Sequence, residues 1–157
     1  MLSEFRDKRK NLENVWAEGR IDDQLLRDHS RLVDSYIVNC FLRSEVDDCG
    51  GDLAFVALGG YGREELFPGS DIDLMILYRP KLKKKIASIA DAVLYPLWDT
   101  GMEVGHGVRT VAESIKHAKE DYFFLVALLD ARLIHGSLEL YEDLLAAYRK
   151  RFVDGGR

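Results

Sequence analysis

Leu58-Gly59-Gly60-Tyr61-Gly62-Arg63-Glu64-Glu65-Leu66-Phe67-Pro68-Gly69-Ser70-Asp71-Ile72-Asp73-Leu74-Met75-Ile76-Leu77 sets the frame for the whole chain. The apolar run that leads into it, Leu53-Ala54-Phe55-Val56-Ala57-Leu58, is continuous rather than alternating, as suits a strand covered on both faces. Gly59, Gly60 and Gly62 turn the chain, and Arg63 to Phe67 are expected as a short helix stopped by Pro68-Gly69. A second strand is expected from Asp71 to about Tyr78.

In a strand, alternate side chains share a face and each residue rises about 3.3 Å. Asp71 and Asp73 therefore fall on one side, about 6–7 Å apart along the strand, while Ile72, Leu74 and Ile76 face a core. Two ionised carboxylates that close repel each other. A divalent cation between them removes the repulsion, and magnesium favours a few carboxylates together with substrate phosphates. Two such ions roughly 4 Å apart clamp the attacking and leaving oxygens of an in-line displacement. Glycines let backbone N–H groups approach phosphate oxygens closely. Gly59, Gly60 and Gly62 are thus candidates to cradle a nucleoside triphosphate, with Arg63 adding charge and Ser70 a hydroxyl. Taken alone, the glycines read equally as a tight turn and the Asp-x-Asp as a solvated or capping pair. Their combination at this spacing, between two apolar strands, favours the phosphate reading. No Gly-Lys-Ser/Thr follows, so this is not a Walker A loop. The segment after the glycines is too short for a Rossmann helix.

Upstream, Leu25, Leu26, His29, Leu32, Val33, Tyr36, Ile37, Cys40 and Phe41 recur at spacings of three and four, the stripe of an amphipathic helix that Asp22 or Asp23 can cap. A shorter helix precedes it and ends near Gly19. Asp47-Asp48-Cys49-Gly50-Gly51 breaks the chain before the first strand. Downstream, Ile86, Ile89, Ala90, Val93, Leu94 and Leu97 mark a helix, with a kink or break expected near Tyr95 because Pro96 follows. A third strand is expected over Met102 to Arg109, and Thr110-Val111-Ala112-Glu113 fits a capping box. An apolar helix is expected from Asp121 to Ile134, and Ser137 can cap a last helix bearing Leu140, Tyr141, Leu144, Leu145 and Tyr148. The order is an α+β plan: residues 1–50 as an N-terminal helical segment, and 51–157 as a core with a small sheet and C-terminal helices, in one compact unit.

On the third strand Glu103, Gly105, Gly107 and Arg109 share a face. An acid, two positions without side chains and a cation make a suitable floor for a nucleotide. Glu103 is the candidate third carboxylate; it reads alternatively as an exposed acid on an edge strand. Asp99 is the fallback, beside Gly101 where a turn is the simpler role. His106 is expected to point with Met102, Val104 and Val108 toward the packed face, as a hydrogen-bonded structural histidine or else a catalytic base. His29 reads as packing, His117 and His135 as helix-end residues, and Trp16 and Trp98 as core or partial core.

The bulk numbers suit this plan. The 157 residues suffice for one domain with a real core, and 47% hydrophobic with 31% charged is an ordinary globular composition. A net charge of −5 offers no basic field to nucleic acid, and Lys81 to Lys85 reads as a solvated helix start. Cys40 and Cys49 fit no metal spacing and make no disulfide framework, so reduced thiols in a cytoplasmic protein are expected. Met1 to Lys10 is charged and lacks the apolar core of a signal peptide. No apolar run approaches the ~20 residues of a membrane span.

Gly59-Gly60, ten residues, then Asp71-x-Asp73 and a hydrophobic strand resembles the DNA polymerase β-type nucleotidyltransferase superfamily. The longer wording, Gly-Gly-Tyr-Gly-Arg-x-Glu-Leu-x-Pro-x-Ser-Asp-Ile-Asp-Leu, is similar to bacterial PII uridylyltransferases, the bifunctional uridylyl-transferring and uridylyl-removing enzymes of nitrogen control. Leu97-Trp98-Asp99-Thr100-Gly101-Met102-Glu103-Val104-Gly105-His106-Gly107-Val108-Arg109-Thr110 and Ala131-Arg132-Leu133-Ile134-His135-Gly136 resemble two further segments of that family. Glu64 stands where the family usually has Gly, and Gly107 where it usually has Ser. The resemblance implies a small mixed sheet flanked by helices, with two magnesium ions held by Asp71 and Asp73 and by Glu103 if it is the third ligand. It implies UTP as substrate, with Gly59, Gly60, Gly62, Arg63, Ser70 and Arg109 around the nucleotide. A tyrosine hydroxyl of the PII protein would attack the α-phosphate. Family members are longer, with a His-Asp phosphohydrolase and ligand-sensing domains; the chain has no His-Asp dipeptide, so the transferase part alone is expected. Two readings stay beside this one: adenylyl transfer to glutamine synthetase or to a small molecule, and a nucleotide-binding fragment without turnover.

Overall fold

Two central strands organise the molecule, a computed structural model that describes residues 1–46 and 49–156. β1 (Leu53–Ala57) is buried along its whole length, and β2 (Ile72–Tyr78) at every position except Asp73. They pair antiparallel, with Leu53 opposite Tyr78 and Ala57 opposite Leu74. β3 (Val104–Arg109) adds parallel to β2, and β4 (Arg132–Gly136) antiparallel to β1, giving the order β3-β2-β1-β4. Parallel pairing needs a long crossover, which α4 (Ile86–Asp99) supplies between β2 and β3.

Alternate side chains of β1 and β2 enter two separate cores. Phe55, Ile72, Leu74 and Ile76 pack with Val33 and Ile37 of α2 (Asp23–Arg43) and with Ile89, Val93 and Leu97 of α4. α1 (Leu2–Ala17) backs this layer through Phe5, whose ring lies 4.5 Å from Tyr36. On the other face Val56, Leu58, Met75 and Leu77 meet Ala118 of α5 (Val111–Glu120) and Leu128 beyond α6 (Tyr122–Ala127). Leu140 and Leu144 of α7 (Leu138–Tyr148) complete that core. The result is the expected α+β arrangement, a mixed sheet between two helical layers.

Helix starts follow local chemistry. The Asp22 carboxylate accepts from the Leu25 N–H at 2.9 Å, Thr110 and Glu113 close a capping box, and Ser137 accepts from the Leu140 N–H at 3.1 Å. Gly19, with φ +79°, follows the end of α1.

Several expectations are corrected. The short helix falls on the glycines, as α3 (Gly59–Gly62), not on Arg63 to Phe67. Glu64 breaks it with φ +58°, and α2 holds Leu66: its N–H donates to Ser30 Oγ (3.3 Å) and its carbonyl accepts from His29 Nδ1 (2.8 Å). The helix expected from Asp121 to Ile134 stops at Ala127; a 3₁₀ turn, Leu128–Asp130, leads into β4. Leu133 and Ile134 enter opposite cores, which only a strand allows, and His135 is a strand residue, not a helix end. α4 runs unbroken through Pro96, which lies in its last turns where one missing N–H costs a single bond; the Pro96 carbonyl accepts from Tyr36 Oη at 3.1 Å. Trp98 is 42% exposed instead of packed. Asp71 lies one residue before β2, and Met102 and Glu103 just before β3. Asp47 and Asp48 of the expected break lie outside the described residues.

One polar knot ties α3 in place. The last carbonyls of a helix have no partner within it, and in α3 the Arg132 guanidinium takes two of them: Nη2 donates to Tyr61 O (3.2 Å) and Nε to Gly62 O (3.2 Å). The same group forks onto Asp34, at 2.7 and 3.2 Å, and Tyr61 Oη donates to Asp34 Oδ1 at 2.6 Å. Gly62 has no room for a side chain, because a Cβ there would collide with the Asp130 carbonyl.

Three outcomes follow from this packing. Arg132→Ala leaves a half-buried Asp34 without its cation and should cost about 2–4 kcal/mol by urea denaturation, with Arg132→Lys recovering only part because an ammonium cannot fork. Glu64→Gly removes about 1 kcal/mol of left-handed strain against a weak pair with Arg31 at 3.4 Å. Its Tm should rise by about 2–4 °C in scanning calorimetry. Burial pushes the His29 imidazole below its usual 6.5, despite the Leu66 carbonyl. Its contribution is therefore present above pH 6.5 and lost as pH falls through the lowered folded value. Urea midpoints should fall between about pH 7.5 and about pH 5, and fall less in His29→Gln, which still carries a donor for Leu66.

Candidate active site

β1 delivers the chain to α3 at the end of the sheet, where β2 begins. The Leu58 N–H donates to the Asp73 carbonyl at 3.0 Å, so the residue entering α3 is fixed to the acidic end of β2. Asp73 points to the α5–α7 side of the sheet, the side of Met75 and Leu77. Its carboxyl group is lodged between two glycines. A Cβ on Gly59 would stand 3.4 Å from Oδ2, and one on Gly105 2.8 Å from Oδ1. Gly59 also has φ +56°, which favours glycine. Burial, and then the charge of Asp71, push the Asp73 carboxyl above its usual range. Among the described residues neither Asp71 nor Asp73 has an ion-pair partner.

Two hollows meet at Asp73. One, of about 390 Å³, is lined by Gly60, Ser70, Asp71 and Asp73. The other, of about 310 Å³, is lined by Asp73, Gly105, Arg109, His117 and Phe124. Another hollow, of about 320 Å³, lies at the far end of β1, between Phe41, Leu53 and His135, away from the carboxylates.

The structure thus brings Asp71, Asp73, Gly59, Gly60 and Ser70 together, with Arg109 in the second hollow. Gly62 is buried against the Asp130 carbonyl. Arg63 is engaged by two carboxylates, Nη1 to Asp130 at 2.6 Å and Nε to Glu65 at 2.9 Å. Glu103 is exposed, and its carbonyl accepts from the Ile72 N–H at 2.9 Å, which sets it level with the start of β2. Among the described residues no three His, Cys, Asp or Glu side chains gather into a metal-holding group. His106 is exposed instead of packed; its ring meets Trp98 edge-on at 5.6 Å.

Sequence reasoning gave His117 only a helix-end place and Asp121 only the start of a helix, and assigned Phe124 no part in the site. His117 Nε2 lies 3.6 Å from Asp121 Oδ2, its ring 4.7 Å from that of Phe124. Asp121 also caps α6 through the Phe124 N–H. The available signal was the His-x-x-x-Asp spacing at the end of α5, which sets both on one helix face.

Residues 40–134 match the family described as the nucleotidyltransferase domain. The chain is similar to proteins named bifunctional uridylyltransferase/uridylyl-removing enzyme. That of Nitrosospira multiformis is 36% identical over 158 aligned positions, covering 93% of this chain and 18% of that protein. That of Nitrosococcus oceani is 38% identical, covering 88% and 15%, and that of Aromatoleum aromaticum 44% identical, covering 62% and 11%. The chain therefore spans less than a fifth of the length of these relatives. With a match over more than half of its residues, on the segment that carries the glycine turn and both aspartates, this chain belongs to the nucleotidyltransferase domain family.

Proposed function

We propose that this domain moves UMP from UTP to a tyrosine hydroxyl of the PII nitrogen-regulatory protein. The observation that carries the reading is the aspartate pair: Asp73, half-buried between Gly59 and Gly105, beside Asp71, with no cation of the protein against either among the described residues. The uridylyl part rests on relatives 36–44% identical that bear the uridylyltransferase name, and the PII acceptor on the resemblance of the Gly59 to Leu74 wording to PII uridylyltransferases.

The aspartate pair fits magnesium, a hard cation that takes carboxylate oxygens and supplies the positive charge the pair lacks. Asp71 and Asp73 would hold two such ions, with Glu103 the third candidate from the neighbouring strand. Bound magnesium neutralises phosphate charge and lowers the pKa of an attacking hydroxyl. Gly59 and Gly60 offer backbone to the polyphosphate, and Ser70 its hydroxyl. Gly62 and Arg63 brace that turn. In the reaction the tyrosine oxygen bonds to the α-phosphorus, and the bond from that phosphorus to the bridging oxygen breaks. Diphosphate leaves with the electron pair, and the phenolic proton is released. Positioning and charge neutralisation account for the acceleration.

A cytoplasmic setting belongs to the same proposal. Among the described residues Cys40 and Cys49 form no disulfide, and no helix is long and apolar enough to cross a membrane.

Calorimetry with UTP should show binding that depends on magnesium, and Asp71→Asn with Asp73→Asn should abolish the magnesium-dependent part. Unchanged binding in that double variant would remove the site assignment. Label passing to PII from UTP supports the uridylyl reading, and label from ATP alone points to adenylyl transfer. Tight binding with no transfer from either leaves a nucleotide-binding domain.

A further inference from the structure

The arginines near the cleft are mostly committed. Arg63 is held by Glu65 and Asp130, and Arg132 by Asp34. Arg109, the last residue of β3, is different. Among the described residues no carboxylate lies within ion-pair distance of it and no protein group accepts a hydrogen bond from it; its guanidinium rests 5.0 Å from the centre of the Phe124 ring. It does not extend outward. It folds back along its own strand and lies over Gly107, so that a Cβ on Gly107 would collide with Nη1 and fall 2.9 Å from Cζ. In the β2–β3 register Gly107 stands opposite Met75, and Gly105 opposite Asp73. Folding back therefore carries the charge one pleat toward Asp73, and both residues line the same hollow.

This sets a permanently charged fork, with no carboxylate partner among the described residues, in the same hollow as Asp73, whose carboxyl also lacks a countercharge. A ligand that satisfies both must carry anionic oxygens for the arginine and a cation for the aspartates. A metal-complexed polyphosphate does both, and a guanidinium matches phosphate oxygens in pairs. The aromatic face of Phe124 orients the fork before the ligand arrives.

We propose that Arg109 grips the polyphosphate oxygens of the nucleotide and that glycine at 107 is the positioning requirement that lets it do so. The proposal rests on the nucleotidyltransferase reading.

Calorimetric titration with magnesium-UTP, and with inorganic tripolyphosphate plus magnesium, tests this on five variants: Arg109→Gln, Arg109→Lys, Gly107→Ser, Gly107→Ala, and Gly107→Ser with Arg109→Gln. Arg109→Gln should weaken both ligands about 10- to 100-fold, and Arg109→Lys should recover part of that loss. Gly107→Ser and Gly107→Ala should weaken both although the arginine is intact. The double variant should bind no worse than Arg109→Gln alone, since the two changes remove one interaction. Unchanged affinity in Arg109→Gln, while Asp71→Asn with Asp73→Asn abolishes binding, overturns this proposal and leaves the nucleotidyltransferase reading in place. Losses that simply add in the double variant overturn the role of Gly107. Binding indifferent to the aspartates as well overturns both readings. Should Gly107→Ser fail to melt cooperatively, Gly107→Ala and the two arginine variants decide the matter.

Discussion

The bond between Arg132 and Asp34 is the constraint on which the rest of the molecule depends. It joins residues 98 apart in sequence, and Tyr61 enters it from 27 residues beyond Asp34. One helix of the first layer, the edge strand of the sheet and the glycine turn thus meet at a single charge. Burial alone would weaken the arginine's hold on its proton, and the Asp34 carboxylate reverses that. The Tyr61 phenol is pushed well up, by burial first and by Asp34 second, so it stays a donor. A turn rich in glycine has little preference of its own; here its shape is imposed by a fork of hydrogen bonds from outside.

Much of this was legible in the residues, for reasons that can be named. The continuous apolar runs of β1 and β2 matched strands buried on both faces, and the alternation of Asp73 against Ile72, Leu74 and Ile76 matched the pleat. Caps at Asp22, Thr110 and Ser137 were readable because a cap is a local bargain between one side chain and one N–H. What escaped depends on partners distant in sequence. β4 has a short apolar run without a period of its own, and becomes a strand because the edge of β1 is there to pair with. The segment after the glycines is anchored at Leu66 by His29 and Ser30, which nothing nearby in the sequence announces. In the candidate site, types and spacing marked the aspartates, the glycines and Arg109. They did not show that Arg63 would be engaged by Asp130 or that His117 and Phe124 would line the second hollow.

The electrostatics of the cleft are deliberately incomplete in the bare protein. Around it, carboxylates and guanidiniums are matched in pairs; within it, Asp71, Asp73 and Arg109 have no ion-pair partner among the described residues. Unmatched charge at partial burial works against the folded state, and sites that bind charged ligands commonly carry such a penalty. The knot at Arg132 and the two apolar cores are what allow the fold to carry it.

Asp73, wedged between Gly59 and Gly105, bears on how such a domain can change. The walls that confine its carboxyl are main chain, so the usual currency of variation, one side chain for another, is closed there: any Cβ at position 105 intrudes on the acid itself. The centre of the cleft is in that sense frozen. Novelty in what the domain accepts has to enter at its rims, where Phe67 is 45% exposed and where α6 presents Tyr122 and Phe123 at 72% and 86% exposure. One frame can then serve many acceptors, each selected at the margin while the chemistry at the centre stays the same.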